Sequence, residues 1–310
     1  MIDLHHDLLS ILYYSYLTDS YQFVEEWVQH FREKNVSGLL ANLYFMNPKE
    51  MKEEFGLEEI NVLEMFQVST QLFHHYLPDI KVIFSIEGCD YIQDVQELEK
   101  LYELGLRNIL LVWNNPNQYG SGNLGDYGLT EKGKEFLKKT IDLGISIDLS
   151  HMNRKTFDDS IQLIQEEIKN GKSVKVLASH SNCYSICNHE RNLSDEQILA
   201  LKSIDGLLGI VGYDEFVRDR KHVNSSLKQL YLEHVRYAVE LMGIDSVCVS
   251  TDDMVFYEKL LHKEYGKMVF SYENVKNEMR ELLQSYFSDK EVKKIMYQNV
   301  YNKLFKEELL

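Results

Sequence analysis

The sequence predicts an α/β protein folded as a (β/α)8, TIM-type barrel, a single domain over residues 1–310 with extra helices at its C-terminal end. Three observations lead there. Short apolar or β-branched runs alternate with longer stretches of helical period along the whole chain, and eight such runs can be counted. Alternation of this kind yields parallel strands joined by right-handed crossovers. Eight strands also close a barrel, which typically takes about 250 residues. The rival, an open doubly wound sheet, often carries a G-x-G-x-x-G turn for a dinucleotide, and no strand here is followed by one.

The first run is 2–7, followed by an amphipathic stretch at 21–34. The second is 36–46, before a long helical region from about 49 to 76. The third, 80–87, is closed by Gly88, and the fourth, 106–113, is entered past Gly105, a glycine placed to end a helix. Residues 114–126 are rich in Asn, Gly and Ser and too many for a tight turn, which predicts a lid or binding loop. Thr130 should cap a helix that runs to Leu143 and stops at Gly144. The fifth and sixth runs, 145–149 and 174–178, flank a helix at 154–170. Ser194 and Gln197 have capping-box spacing, as do Ser288 and Glu291. The seventh run is 207–213; a helix at 227–242 leads to the eighth, 247–251, and two further helices end the chain.

Hydrophobic residues make up 44% of the chain and charged ones 26%, enough for a full core. A net charge of -16 with no offsetting basic patch argues against nucleic acid and anionic membranes as partners. No apolar run approaches the ~20 residues that span a bilayer. The start of the chain lacks the basic-then-apolar layout of a secretory leader. Four cysteines in a chain of this size make no disulfide framework, so a reducing, cytoplasmic setting is expected.

The chemistry concentrates at strand ends. In Asp3-Leu4-His5-His6-Asp7, strand alternation sends His5 and Asp7 to one side and His6 to the other. Alone, such a pair is usually a polar strand end or a helix cap. It is joined, however, by Glu87 at the end of strand 3, His151 after strand 5, His180 after strand 6 and Asp252 after strand 8. In a barrel these ends open onto one face, where active sites of the fold lie. Imidazole and carboxylate donors favour zinc or another borderline metal. Three imidazoles and two carboxylates exceed one open tetrahedral site and fit two ions, leaving Asp252 as a general acid/base.

With these residues in place, the sequence resembles the renal (membrane) dipeptidase family of zinc peptidases over nearly its whole length. The resemblance is carried by Asp3-Leu4-His5-His6-Asp7, Ile86-Glu87-Gly88, Gly128-Leu129-Thr130, Ile147-Asp148-Leu149-Ser150-His151, Ser179-His180-Ser181-Asn182 and the run from Cys187 to Gln197. It implies two Zn2+ per chain, one on His5 and Asp7, the other on His151 and His180, with Glu87 between them. It implies that Arg191 receives a dipeptide's carboxylate beside Tyr213, and that Asp252 passes the proton of a metal-bridging hydroxide to the leaving amine. Tolerance of a D-residue on the C-terminal side and a homodimer are family expectations. Three departures stand out. Where many members carry a His after strand 4, this chain has Trp113, followed by Asn114 and Asn115; Trp113 reads as pocket wall, and either Asn as a source of the missing hydrogen bond. After strand 8 the chain reads Asp252-Asp253-Met254, which keeps the first Asp and alters its surroundings. The interval from His151 to His180 is also long.

Other readings are weaker. His180, Cys183, Cys187 and His189 are close in sequence but match no common structural zinc spacing, and Cys183 and Cys187 read as core positions of a helix. His74, His75 and His262 read as surface residues, whereas His222 and His234 could reach the mouth of the site. Two alternatives remain for the whole: the same metal site acting on another small amide or lactam, and a catalytically weak binding protein on this scaffold.

Overall fold

The computed structural model describes residues 1–33, 36–219, 225–253, 266–270 and 274–306. The predicted His222, His262 and Met254 lie outside them. Eight parallel strands are hydrogen-bonded in sequence order: β1 (Ile2–His6), β2 (Gly38–Tyr44), β3 (Lys81–Glu87), β4 (Leu106–Leu110), β5 (Ser146–Asp148), β6 (Val176–Ala178), β7 (Leu207–Val211) and β8 (Val247–Ser250). The ring is drawn together between its first and last strands, where the Asp252 amide donates to the His5 carbonyl at 3.1 Å and the Thr251 amide to Asp3 Oδ1 at 2.9 Å. The barrel is therefore the one the alternating sequence predicts.

Each strand is one to four residues shorter than its apolar run. The chemistry lies at these strand ends, on His5 and Glu87 within β1 and β3 and on Asp7, His151, His180 and Asp252 just past β1, β5, β6 and β8. The helices form where the amphipathic pattern places them. Thr130 accepts from the Gly133 amide at 2.9 Å and opens Glu131–Asp142. Ser194 and Ser288 both complete capping boxes.

Three expectations need correction. A helix at Leu8–Leu17 was not anticipated, because its run of buried apolar and tyrosine residues carries almost no amphipathic period to read. The helical region at 49–76 is two helices, Pro48–Phe55 and Val62–Tyr76, divided at Gly56, whose φ of 69° ends the first. The segment holding Cys183 and Cys187 is a series of turns rather than a helix; both thiols are buried and donate to carbonyls, of His234 and Glu215 respectively.

The strand alternation divides the core. Leu39, Ala41, Leu43, Ile86 and Ile109 face the helices in the larger apolar cluster. Ile2, Leu4, Leu40, Ile83, Leu177, Leu207 and Cys248 pack inside the ring, closed from below by Val300, Leu304 and Phe305 of the C-terminal helical segment. Above them lies a buried polar layer in which Ser146 Oγ donates to Asn108 Oδ1 at 2.7 Å and Asn108 Nδ2 to Ser85 Oγ at 2.8 Å. The metal-competent groups stand on that layer. Simple alternation on β1 would hold Leu4 and His5 on opposite sides. A register shift between Asp3 and His6 lets Leu4 pack inside the ring while His5 also projects there to meet Asn42. His6 turns outward towards Phe31, with ring centroids 6.5 Å apart.

Candidate active site

The predicted groups from β1, β3, β5, β6 and β8 meet at the mouth. Glu87, the last residue of β3, is their centre. Its Oε2 lies 3.3 Å from His5 Nε2, and its Oε1 lies 2.9 Å from His151 Nε2 and 3.6 Å from His180 Nε2. His5 Nε2 is also 3.5 Å from Asp7 Oδ1 and 3.8 Å from Asp252 Oδ1. The two oxygens of Glu87 thus face two separate groups of donors. His5, Glu87 and His180, and likewise His5, Asp7 and Asp252, are close enough to share an ion.

Burial sets the electrostatics. Desolvation pushes Glu87 up to about 8 and Asp252 above its ordinary value; Asp7 adds to both shifts and His5 opposes them. His151 and His180 are held well below the usual imidazole value by burial, with further repulsion from Arg191 and His5. Burial pulls His5 down as well, but Glu87, Asp7 and Asp252 outweigh it and raise its value.

The donor set fits a metal centre. His5 Nε2 and Asp7 Oδ1 are buried without a hydrogen-bond partner. The Nε2 atoms of His151 and His180 are 2.8 Å apart. Asn114 Oδ1, an acceptor, lies 2.8 Å from His151 Nδ1 and so fixes the proton there, leaving a bare lone pair on Nε2. Ser179 Oγ lies 2.8 Å from His180 Nδ1, from which the hydroxyl can accept, and 3.1 Å from His5 Nδ1, which Asn42 Nδ2 also approaches at 3.1 Å. Imidazoles protonated at Nδ1 aim lone pairs at a common space beside a carboxylate, an arrangement that a divalent cation satisfies. His151 and Asp252 take up left-handed backbone conformations, with φ of 69° and 48°, to bring their side chains inward.

A cavity of 680 Å³ opens over these groups and is also lined by Trp113, Asn114, His189, Arg191 and Tyr213. Arg191 is only 6% exposed, and its Nε and Nη2 have no hydrogen-bond partner. Burial lowers its value to about 10 while Glu87, Asp252 and Asp148 hold it up, so it stays charged at neutral pH. Its guanidinium carbon lies 5.2 Å from the centre of the Phe216 ring, and its backbone amide donates to His189 Nδ1 at 3.2 Å. Tyr213, two residues past β7, tilts against Phe216 with centroids 4.8 Å apart. Trp113 lies 5.1 Å from Tyr44 and 5.9 Å from His151 between ring centroids.

His234 does not reach the mouth. It is fully buried, accepting from the Cys183 amide at 3.1 Å, with Nε2 3.1 Å from the Val217 carbonyl. His74 and His75 are exposed. The loop at 114–126 is pinned over the barrel: Leu124 N donates to Asn114 O, Asn153 N donates to Ser121 O, and the buried Tyr119 hydroxyl donates to Ile92 O. Sequence reasoning missed Asn42 and the role of Ser179. Asn42 had a signal, a lone polar residue inside Leu39-Leu40-Ala41-Asn42-Leu43; Ser179 had none apart from its neighbour His180.

Comparison with known proteins agrees with this architecture. An uncharacterized protein from the PQQ-III 3' region of Acinetobacter calcoaceticus is 30% identical over 172 residues, 52% of each chain. Dipeptidase aclJ of Aspergillus oryzae is 28% identical over 185 residues, 58% of this chain and 42% of its own length. These matches span about half the length of such relatives. Among solved structures, a metallo peptidase from Rhodobacter sphaeroides liganded with a phosphinate mimic of the dipeptide L-Ala-D-Ala superposes with a TM-score of 0.75 at 19% identity, covering 98% of this chain and 97% of that one. The probable dipeptidase PvdM from Pseudomonas aeruginosa gives 0.67 at 16% identity, covering 89% and 87%. The family model for membrane dipeptidase, peptidase family M19, matches residues 2–308, and the chain belongs to that family.

Proposed function

We propose that the chain is a metal-dependent dipeptidase that hydrolyses the peptide bond of free dipeptides. The observation that carries this reading is the buried guanidinium of Arg191, whose Nε and Nη2 have no hydrogen-bond partner, lining the same cavity as a convergent set of metal-competent side chains. His5 and Asp7 would hold one ion and His151 and His180 the other, with Glu87 presenting one oxygen to each pair. The donor chemistry favours zinc. When bound, the ions supply Lewis-acid polarisation of the scissile carbonyl and acidify the attacking water.

The remaining roles belong to the chain's own groups. Nε and Nη2 of Arg191 form the side-on fork that reads a carboxylate with two parallel hydrogen bonds. This anchors the substrate's C-terminal end and excludes longer peptides, whose next residue occupies that place. Asp252, held in its proton-accepting range by burial, takes a proton from the water and returns it to the leaving amine. Tyr213 frames the carboxylate end and Trp113 the opposite wall. The phosphinate mimic in the Rhodobacter sphaeroides protein supports tolerance of a D-residue on the C-terminal side.

The test is a panel of L-L and L-D dipeptides, with amidated and longer controls, given to zinc-loaded and chelated protein. Chelator-sensitive cleavage of free dipeptides alone is expected, with Arg191→Met lowering kcat/KM by about 100-fold or more. Absence of cleavage by protein shown to hold two metal ions would sink the dipeptidase reading and favour another small amide.

A further inference from the structure

Arg191 and the metal-competent groups explain only part of the cavity. In an eight-stranded ring, strands four apart face each other. The loop after β6, which carries Arg191, therefore lies across the mouth from the loop after β2, and the loop after β7 lies across from that after β3. Glu87 and its neighbours sit between. A dipeptide whose carboxylate rests on Arg191 directs its N-terminal residue to the far wall, formed after β2, β3 and β4.

That wall is lined by Tyr44, Phe45, Glu50, Asp90, Tyr91 and Trp113. Its rings form two pairs, Tyr44 with Trp113 at 5.1 Å and Phe45 with Tyr91 at 5.2 Å. Asp90 is oriented by the Asn117 amide, which donates to its Oδ2 at 3.4 Å and to the Leu111 carbonyl at 2.9 Å. Glu50 sits in the first turn of Pro48–Phe55. Among the described residues, neither carboxylate has a cationic partner, and Arg191 is the only Lys or Arg that lines the cavity. Neither belongs to the groups that could share an ion.

Aromatic faces attract a cation through their quadrupole, and a carboxylate beside them neutralises it. The same wall accommodates an apolar stem leading to that charge. We propose that this wall receives the side chain of the substrate's N-terminal residue and selects Lys or Arg there. The preferred substrates are then free dipeptides with a cationic N-terminal side chain. The net charge of -16 draws the same molecules towards the mouth. This inference rests on the dipeptidase reading.

Lysyl-alanine, norleucyl-alanine and glutamyl-alanine share the α-ammonium, the peptide bond and the carboxylate, and differ only in the first side chain. With zinc-loaded protein, kcat/KM for lysyl-alanine should exceed that for norleucyl-alanine by about 10–100-fold, the worth of a charge-assisted contact, with glutamyl-alanine poorest. Asp90→Asn should cut the lysyl-to-norleucyl ratio by about tenfold, and Glu50→Gln should lower it in the same direction. Equal rates for lysyl- and norleucyl-alanine overturn the pocket while leaving the dipeptidase reading intact. So does an Asp90→Asn protein that slows both in the same proportion, which would tie Asp90 to the shared α-ammonium. Failure to cleave any of the three by protein holding two zinc ions removes both readings together.

Discussion

Asn114 Oδ1 lies 2.8 Å from Nδ1 of His151, and this contact decides which imidazole nitrogen faces Glu87. An amide oxygen can only accept, so the ring proton stays on Nδ1 and Nε2 is free to bind a cation. Asn114→Leu should weaken metal affinity by about 10–100-fold, the usual cost of losing such a partner. Competition with a chromophoric zinc chelator measures it. Unchanged affinity would return Asn114 to the substrate-binding role read from the sequence.

Stability should follow metal occupancy. His5 Nε2 and Asp7 Oδ1 are buried without a hydrogen-bond partner, and Glu87 is pushed up to about 8. An ion that binds only the folded chain adds about 2.7 kcal/mol when present at 100 times its Kd. Chelated protein should therefore melt several degrees below zinc-loaded protein in differential scanning calorimetry. Coincident melting curves would contradict a metal centre here.

His234, which does not line the cavity, should make the protein acid-sensitive at a point outside the metal-competent cluster. Burial lowers it to about 4, although the Val217 carbonyl favours its charged form. The folded value lies below the ordinary 6.5, so its contribution is fully present above that pH and is lost as pH falls towards 4. The amount at stake is about 3 kcal/mol. Urea unfolding at pH 7 and pH 4.5 should show a loss that is smaller in His234→Gln. An equal loss in both proteins would place the acid sensitivity elsewhere.

Gly209 on β7 leaves room for the strand before it. A Cβ there would collide with the Ser179 carbonyl oxygen, and the Ser181 amide donates to the Gly209 carbonyl at 3.0 Å. Gly209→Ala should shift residues 179–181, displace His180 and cost about 1–3 kcal/mol. Loss of one zinc equivalent, read by metal analysis on protein that still folds, would mark the damage as local. A full complement of zinc with normal stability would show that the strand gives way instead.

The barrel was legible because it depends on repetition: eight apolar runs, and helices whose caps are written in Thr130, Ser194 and Ser288. The convergent groups were legible because ligands need particular residue types at strand ends, as with His5, Glu87 and His180. What escaped depends on neighbours distant in sequence. Strand alternation anticipated that His5 and Asp7 would point together and His6 away, yet the turn of β1 that lets Leu4 and His5 share the interior comes from its pairing with β2. His234 carried no sign of burial, because its partners, Cys183 and Val217, lie on other elements. Asn114 was read as a hydrogen-bonding group of the substrate pocket from the family resemblance, and it lines the cavity; its contact with His151 was not legible because the two lie 37 positions apart on different loops.

The closure between β1 and β8 also orders events in time. Asp3 and Thr251 are separated by 248 positions in the chain, and their contact stands beside His5 and Asp252. Long-range contacts of this kind are slow to form, because closing so large a loop costs entropy before any contact rewards it. During synthesis His5 and Asp7 emerge first and wait for Asp252. Until the ring shuts, β1 has an open edge and its ligands face water. Assembly of the full donor set is then one of the last steps of folding, and a nascent chain stalled before β8 would have no complete site to load.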